Sequence, residues 1–295
     1  QIILDKAAES NNLVQEKYIT LSIGLRKIEQ TRAYFRRVDT NLSASFGRLD
    51  SGAYAISCAD RLRLLHDFFR PGEEASFRFD LSANINPFGI PDAVRAAMHR
   101  AVDNCTQYPD PFCRAARQAI GAREGVNPDF LYCGNGAADV LDRLAAVLKP
   151  RKVLLTAPTF AEYERTLSGA EIRVHNLRET DGFALTERIL DEISPDLDAV
   201  YLCNPNNPTG RTAQPELLRE IVRKCTENGA KLVVDECFND FLTDAERHTR
   251  KDLLESNPGL IILRAYTKMY AVPGVRFGWC MTADAALIEK LYHAG

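Results

Sequence analysis

Between Ala265 and Trp279 the chain reads "AYTKMYAVPGVRFGW", a single lysine among aromatic, aliphatic and turn residues, with an arginine eight positions further on. Lysine in water ionises near ~10.4, and apolar surroundings favour its neutral amine, so a buried Lys268 is either paired or reactive. The alternative is an exposed lysine on an apolar edge. A reactive Lys268 can form an imine with a carbonyl, while Thr267 donates to a phosphate and Arg276 neutralises that phosphate with a planar fork. Three other segments carry chemistry of the same kind. In "LVVDECF", Asp235 closes an apolar strand, where a carboxylate either caps a helix or pairs with something positive, such as a protonated ring nitrogen. "NPNNPTG", Asn204 to Gly210, holds amide side chains between prolines; it is either a plain polar turn or the source of a donor to a phenolate oxygen at the carboxyl end of a sheet. "GNGAAD", Gly134 to Asp139, brings Gly136, Ala137 and Ala138 to the start of a helix, where free N–H groups bind phosphate, although a glycine turn there is also ordinary packing. Taken together, these are the needs of a phosphorylated aromatic cofactor.

Residues of this kind require strand ends to carry them. From about Val126 onward, the apolar runs "KVLLTAP", "LDAVYLCNP", "AKLVVDE" and "GLIILRAYT" read as buried strands, and "PELLREIVRKCTENG" as an amphipathic helix between two of them. This alternation predicts an α/β fold with a mostly parallel sheet covered by helices. In "AADVLDRLAAVLKP", Val140, Leu141, Leu144, Val147 and Leu148 form one apolar helical face, and Pro150 marks its end. The first eighty residues differ: one possible strand, "YITLSIGL", a basic helix around "KIEQTRAYFRRV" and a second helix, "ADRLRLLHDFFRPG". The pattern changes near Phe77 to Asp80, which divides the chain into a small α+β leader, 1–78, and a larger unit, 79–295.

Composition narrows the function classes. A chain of 295 residues with 45% hydrophobic content can bury a sizeable core, and its net charge of -3 gives no case for nucleic acid or anionic membranes. The eight cysteines include no CxxC pair, which reads as reduced, cytoplasmic usage, and neither they nor the five histidines show metal-ligand spacing, so no metal is expected. No apolar run reaches the ~20 residues that span a bilayer.

In the order and spacing of GNGAAD, NPNNPTG, VVDECF and TKMYAVPGVRFG, the chain from about Phe79 to Gly295 resembles the class I/II aminotransferase family of fold-type I pyridoxal-phosphate enzymes. The resemblance implies pyridoxal 5'-phosphate as cofactor. It assigns Lys268 the imine bond, Asp235 the pyridine nitrogen and Asn207 the ring oxygen. It gives the phosphate to Gly136, Ala137, Ala138, Thr267 and Arg276. Phe160, in "APTFAEY", matches an aromatic ring stacked on the cofactor, with a core phenylalanine as the alternative. Tyr108, in "TQYPDP", matches a tyrosine that reaches the neighbouring subunit's cofactor phosphate, which implies a homodimer, and Asn84 and Asn86, in "SANINPFG", match positions near the substrate entrance. In detail the segments look most like threonine-phosphate decarboxylases of cobalamin synthesis, with histidinol-phosphate aminotransferases as the alternative. Phe238 stands where most aminotransferases of the family carry a tyrosine.

Decarboxylation and transamination differ in which bond at the α-carbon is held perpendicular to the ring. In the family, that choice depends on an arginine of a C-terminal small domain. The chain starts at Gln1 and stops within a helix-like pattern, so both ends are expected to be cut and that small domain missing. Residues 1–78 separately resemble the N-terminal region of conjugative type IV secretion ATPases, but contain no GxxxxGK[ST] phosphate loop. A non-catalytic fusion product is therefore a third reading of the chain.

Overall fold

The computed structural model describes residues 84–294. The expected boundary near residue 78, and the strand and two helices expected of the leader, lie outside the described residues.

The described strands are β1 (Leu131–Gly134), β2 (Lys152–Ala157), β3 (Glu171–Asn176), β4 (Ala199–Cys203), β5 (Lys231–Asp235), β6 (Leu260–Arg264) and β7 (Gly278–Met281). They form one sheet in the order β1-β7-β6-β5-β4-β2-β3. Pairing is parallel except along β7, which runs antiparallel to both β1 and β6. The sequence reading of a mostly parallel sheet therefore holds. One consequence matters for chemistry. The carboxyl ends of β1, β2, β4, β5 and β6 share one edge with the amino end of β7, so Gly134, Asp235 and Gly278 meet there although they are far apart in the chain.

The helices are α1 (Asp92–Val102), α2 (Arg114–Glu124), α3 (Ala137–Leu148), α4 (Glu162–Thr166), α5 (Ile189–Glu192), α6 (Pro215–Asn228), α7 (Ala245–His248) and α8 (Ala285–His293). Local chemistry explains the longest of them. Pro215 begins α6, where its missing N–H costs nothing, and Gly229 ends it in the left-handed region at φ 71°. Asp284 starts α8 by accepting a hydrogen bond from the Leu287 amide.

Because side chains alternate along a strand, each strand feeds two cores. On one face Leu154, Val200, Leu202, Leu232, Val234 and Ile262 pack with α2, α5 and α6; on the other Leu155, Tyr201, Val233 and Ile261 pack with α3, α4 and α8. This two-sided burial is why β4, β5 and β6 read as unbroken apolar runs. Of the face expected on α3, Val140, Leu141 and Leu144 are buried and Val147 and Leu148 are half-buried at its end. No helix among the described residues is long and apolar enough to cross a membrane.

Candidate active site

At the shared edge, β1 runs into the GNGAAD turn and α3. Gly136 has φ 91° and ψ 163°, a conformation essentially reserved for glycine, and no side chain caps the helix that follows it. The first amides of α3 have no acceptor four residues back, as at any helix start. The turn is fixed from below, because the Asp139 carboxylate accepts from the Asn135 amide at 2.8 Å and from Arg143 at 3.1 Å. Two further contacts complete a cradle. A methyl group added to Gly136 would strike the Arg276 guanidinium, and one added to Gly278 would strike the backbone of Gly136 and Ala137. Arg276 therefore lies over the glycine turn, as an anion clamp requires, and it is exposed, its Nη1 donating among the described residues to the Pro273 carbonyl alone at 3.2 Å.

Asp235 sits at the centre of this edge and is 4% exposed. It is not a helix cap. Its Oδ1 accepts from the Cys237 amide at 3.0 Å and its Oδ2 from the Tyr163 hydroxyl at 2.8 Å. Burial pushes its pKa up, while the Cys237 and Tyr163 hydrogen bonds and the charge of nearby Lys268 pull it back. Among the described residues the carboxyl makes no ion pair within 4 Å. A buried carboxylate of this kind is completed by a cationic donor.

Lys268 lies on the turn after β6 and is half-buried, beside buried Thr267. This excludes a simple exposed lysine. Asn86 is docked on the same turn, its amide donating to the Lys268 carbonyl at 3.0 Å and its side chain to the Met269 carbonyl at 2.9 Å. Of the three asparagines in NPNNPTG, two are engaged structurally. Asn204 bonds to His248 and Ala213, and Asn206 to Thr159, Pro158 and Thr209. Asn207 makes no side-chain hydrogen bond among the described residues and is the one available to a ligand. Phe160 is half-buried, edge-on to Tyr163 with ring centroids 5.6 Å apart.

The structure thus gathers Gly136, Ala137, Ala138, Asn207, Asp235, Thr267, Lys268 and Arg276 on one edge, with Phe160 flanking and Asn86 supporting. Asn84 and Tyr108 are exposed and make no side-chain hydrogen bond among the described residues; Tyr108 projects fully into solvent. Sequence reasoning missed Tyr163. The available signal was a second aromatic residue three positions after Phe160.

The site's residues fit a phosphorylated pyridine: a cradle for the phosphate, an unpaired buried carboxylate for the ring nitrogen, a free amide and a nearby amine. Residues 78–294 match the family model described as aminotransferase class I and II. The chain belongs to that family. It is 39% identical over 214 residues to a threonine-phosphate decarboxylase of Salmonella typhimurium, covering 72% of this chain and 58% of that one. It is 29% identical over 232 residues to a histidinol-phosphate aminotransferase of Bacillus velezensis, covering 75% and 64%. Among solved structures, a histidinol-phosphate aminotransferase from Clostridium acetobutylicum superposes with a TM-score of 0.67 at 27% identity, covering 72% of this chain and 63% of that one. The chain thus spans less than two thirds of the length of these class I and II aminotransferase relatives.

Proposed function

We propose that this chain carries a pyridoxal 5'-phosphate site and belongs to an enzyme acting on a phosphorylated amino acid, with decarboxylation of threonine phosphate as the first reading. The observation that carries the cofactor assignment is Asp235, buried without an ion pair and adjacent to Lys268. Bound there, the cofactor supplies an electron sink for a bond broken at the substrate's α-carbon. The chain's own residues do the rest. Gly136, Ala137, Ala138, Thr267 and Arg276 bind the phosphate, Asn207 donates to the ring oxygen, and Phe160 excludes water from one ring face. Asp235 keeps the ring nitrogen protonated. Lys268 holds the cofactor and, when released, moves protons at its Nζ.

The 39% identity to a threonine-phosphate decarboxylase supports the substrate class, and Phe238 in place of a tyrosine supports the same branch. The second reading, a histidinol-phosphate-type transaminase, is favoured by the Clostridium acetobutylicum superposition. Joined to the carboxyl-terminal region of the Salmonella typhimurium relative, the chain should release carbon dioxide from O-phosphothreonine. Transamination of histidinol phosphate dependent on 2-oxoglutarate would support the second reading instead.

A homodimer is part of the proposal. Helix α1 contains no buried residue, and Phe88, Val102, Tyr108 and Phe112 nearby in sequence are exposed, an apolar surface suited to a second copy that would receive Tyr108.

Tyr163→Phe removes one donor from Asp235 without removing bulk. Hydrogen bonds to charged groups contribute about 1.5–3 kcal/mol, so cofactor affinity should fall by roughly ten- to a hundredfold. The sign in pH follows: losing the donor raises the Asp235 pKa further, so the loss of binding on acidification should begin at higher pH than in the wild type. Titrations followed by absorbance across pH would measure it, and superimposable curves would remove Tyr163 from the site.

A further inference from the structure

Behind the site, on the opposite face of the sheet from Asp235, lies a buried ionic cluster that the proposed chemistry leaves unused. Arg264, the last residue of β6, directs Nε and Nη2 to Glu236 Oε2 at 3.0 and 2.8 Å, and Nη1 to Glu124 Oε2 at 3.0 Å. All three side chains are almost fully buried, Arg264 and Glu124 at 4% exposure and Glu236 at 1%. Glu124, the last residue of α2, also accepts from the Tyr266 hydroxyl at 3.2 Å and from Lys251 at 3.4 Å. Asp240 lies 4.0 Å from the same guanidinium.

The placement of these groups in the chain is informative. Glu236 is the residue after Asp235, and its amide donates to the Leu263 carbonyl at 2.8 Å. Tyr266 is two residues before Lys268. One guanidinium, through two carboxylates, therefore grips both chain segments that carry the site's carboxylate and amine. Burying such a cluster is a poor way to gain stability, because the desolvation of three charges offsets much of their attraction. A planar fork between two fixed carboxylates is, by contrast, a good way to set distances.

We propose that Arg264 is a positioning residue that fixes Asp235 relative to Lys268 through Glu236 and Glu124, an inference that rests on the cofactor reading above. Both a ligand that bonds to Lys268 and one that meets only Asp235 and the phosphate cradle feel the spacing of the two segments, because Thr267 adjoins Lys268, but a covalent bond to the amine is far more sensitive to it than a phosphate contact shared among several donors. Pyridoxal 5'-phosphate is the first kind. Pyridoxine 5'-phosphate, with an alcohol where the aldehyde would be, is the second.

The test compares the affinities of both ligands in the wild type, in Arg264→Lys, which keeps the charge but loses the fork, and in the paired Glu236→Gln, Arg264→Met variant, which removes both charges and guards against misfolding of the first. Circular dichroism reports the fold. The preference for pyridoxal over pyridoxine phosphate should fall about tenfold or more in either folded variant, since misplacement on the ångström scale has effects of that order, while pyridoxine phosphate binding falls by much less. Equal losses for both ligands would mark the cluster as merely structural and overturn the proposal, as would no change in either. A wild type that binds both ligands equally would overturn the cofactor reading itself, and this inference with it.

Discussion

Asp235→Asn should leave the fold intact and weaken pyridoxal phosphate binding by a hundredfold or more. The fold survives because the amide is the same size and the local bonds can be re-formed. The Cys237 amide still finds an oxygen, and the Tyr163 hydroxyl, donor to the carboxylate at 2.8 Å, can rotate to accept from the new Nδ2. Burial raises the Asp235 pKa, so its charge opposes folding at neutral pH, and removing that charge should leave the melting temperature unchanged or higher. Binding fails for the complementary reason. A ring nitrogen would lose the buried charge that Asp235 offers it, and removing one partner of a buried pair costs about 3–5 kcal/mol, which is roughly a hundred- to several-thousandfold in affinity. Thermal melts and absorbance titrations separate the two effects. An unfolded variant, or a folded one with unchanged affinity, would contradict the role.

Gly278→Val should be nearly as damaging, for steric reasons. Gly278 opens β7, and a Cβ there would collide with the backbone of Gly136 and Ala137, which no side-chain rotation can relieve. Either β7 shifts off β1 or the start of α3 moves away from Arg276. Forced overpacking of this kind costs about 1–3 kcal/mol and occasionally more, so the denaturant midpoint should fall. The phosphate cradle should suffer more than the fold. The advantage of pyridoxal phosphate over unphosphorylated pyridoxal should largely disappear in the variant, and full retention of that advantage would show that the phosphate binds elsewhere.

Much of the sheet was legible because two-sided burial forces the middles of β2, β4, β5 and β6 to be apolar. Strand β3 was not, because as an edge strand with the sequence EIRVHN it is mostly half-buried or exposed. The four-residue strands β1 and β7 are too short to show a period. In the site, Lys268, Asp235 and the glycine turn announce themselves by residue type at strand ends. Distinguishing Asn207 from Asn204 and Asn206 required the structure, since only their hydrogen bonds show which amide is free. Tyr163 and Arg264 were overlooked for another reason: Asp235 and Glu124, to which they donate, lie 72 and 140 residues away in sequence. The roles suggested for Tyr108 and Asn84 depend on groups outside the described single chain.

Lys268 is proposed to hold pyridoxal phosphate at this edge of the sheet. Incubating the purified chain with the cofactor, reducing with borohydride and mapping the modified peptide tests it directly, with Lys268→Ala as control. The site described here predicts one stoichiometric adduct on the peptide containing "AYTKMY" and none in the variant. Label spread over surface lysines, or an equal yield in Lys268→Ala, would contradict it.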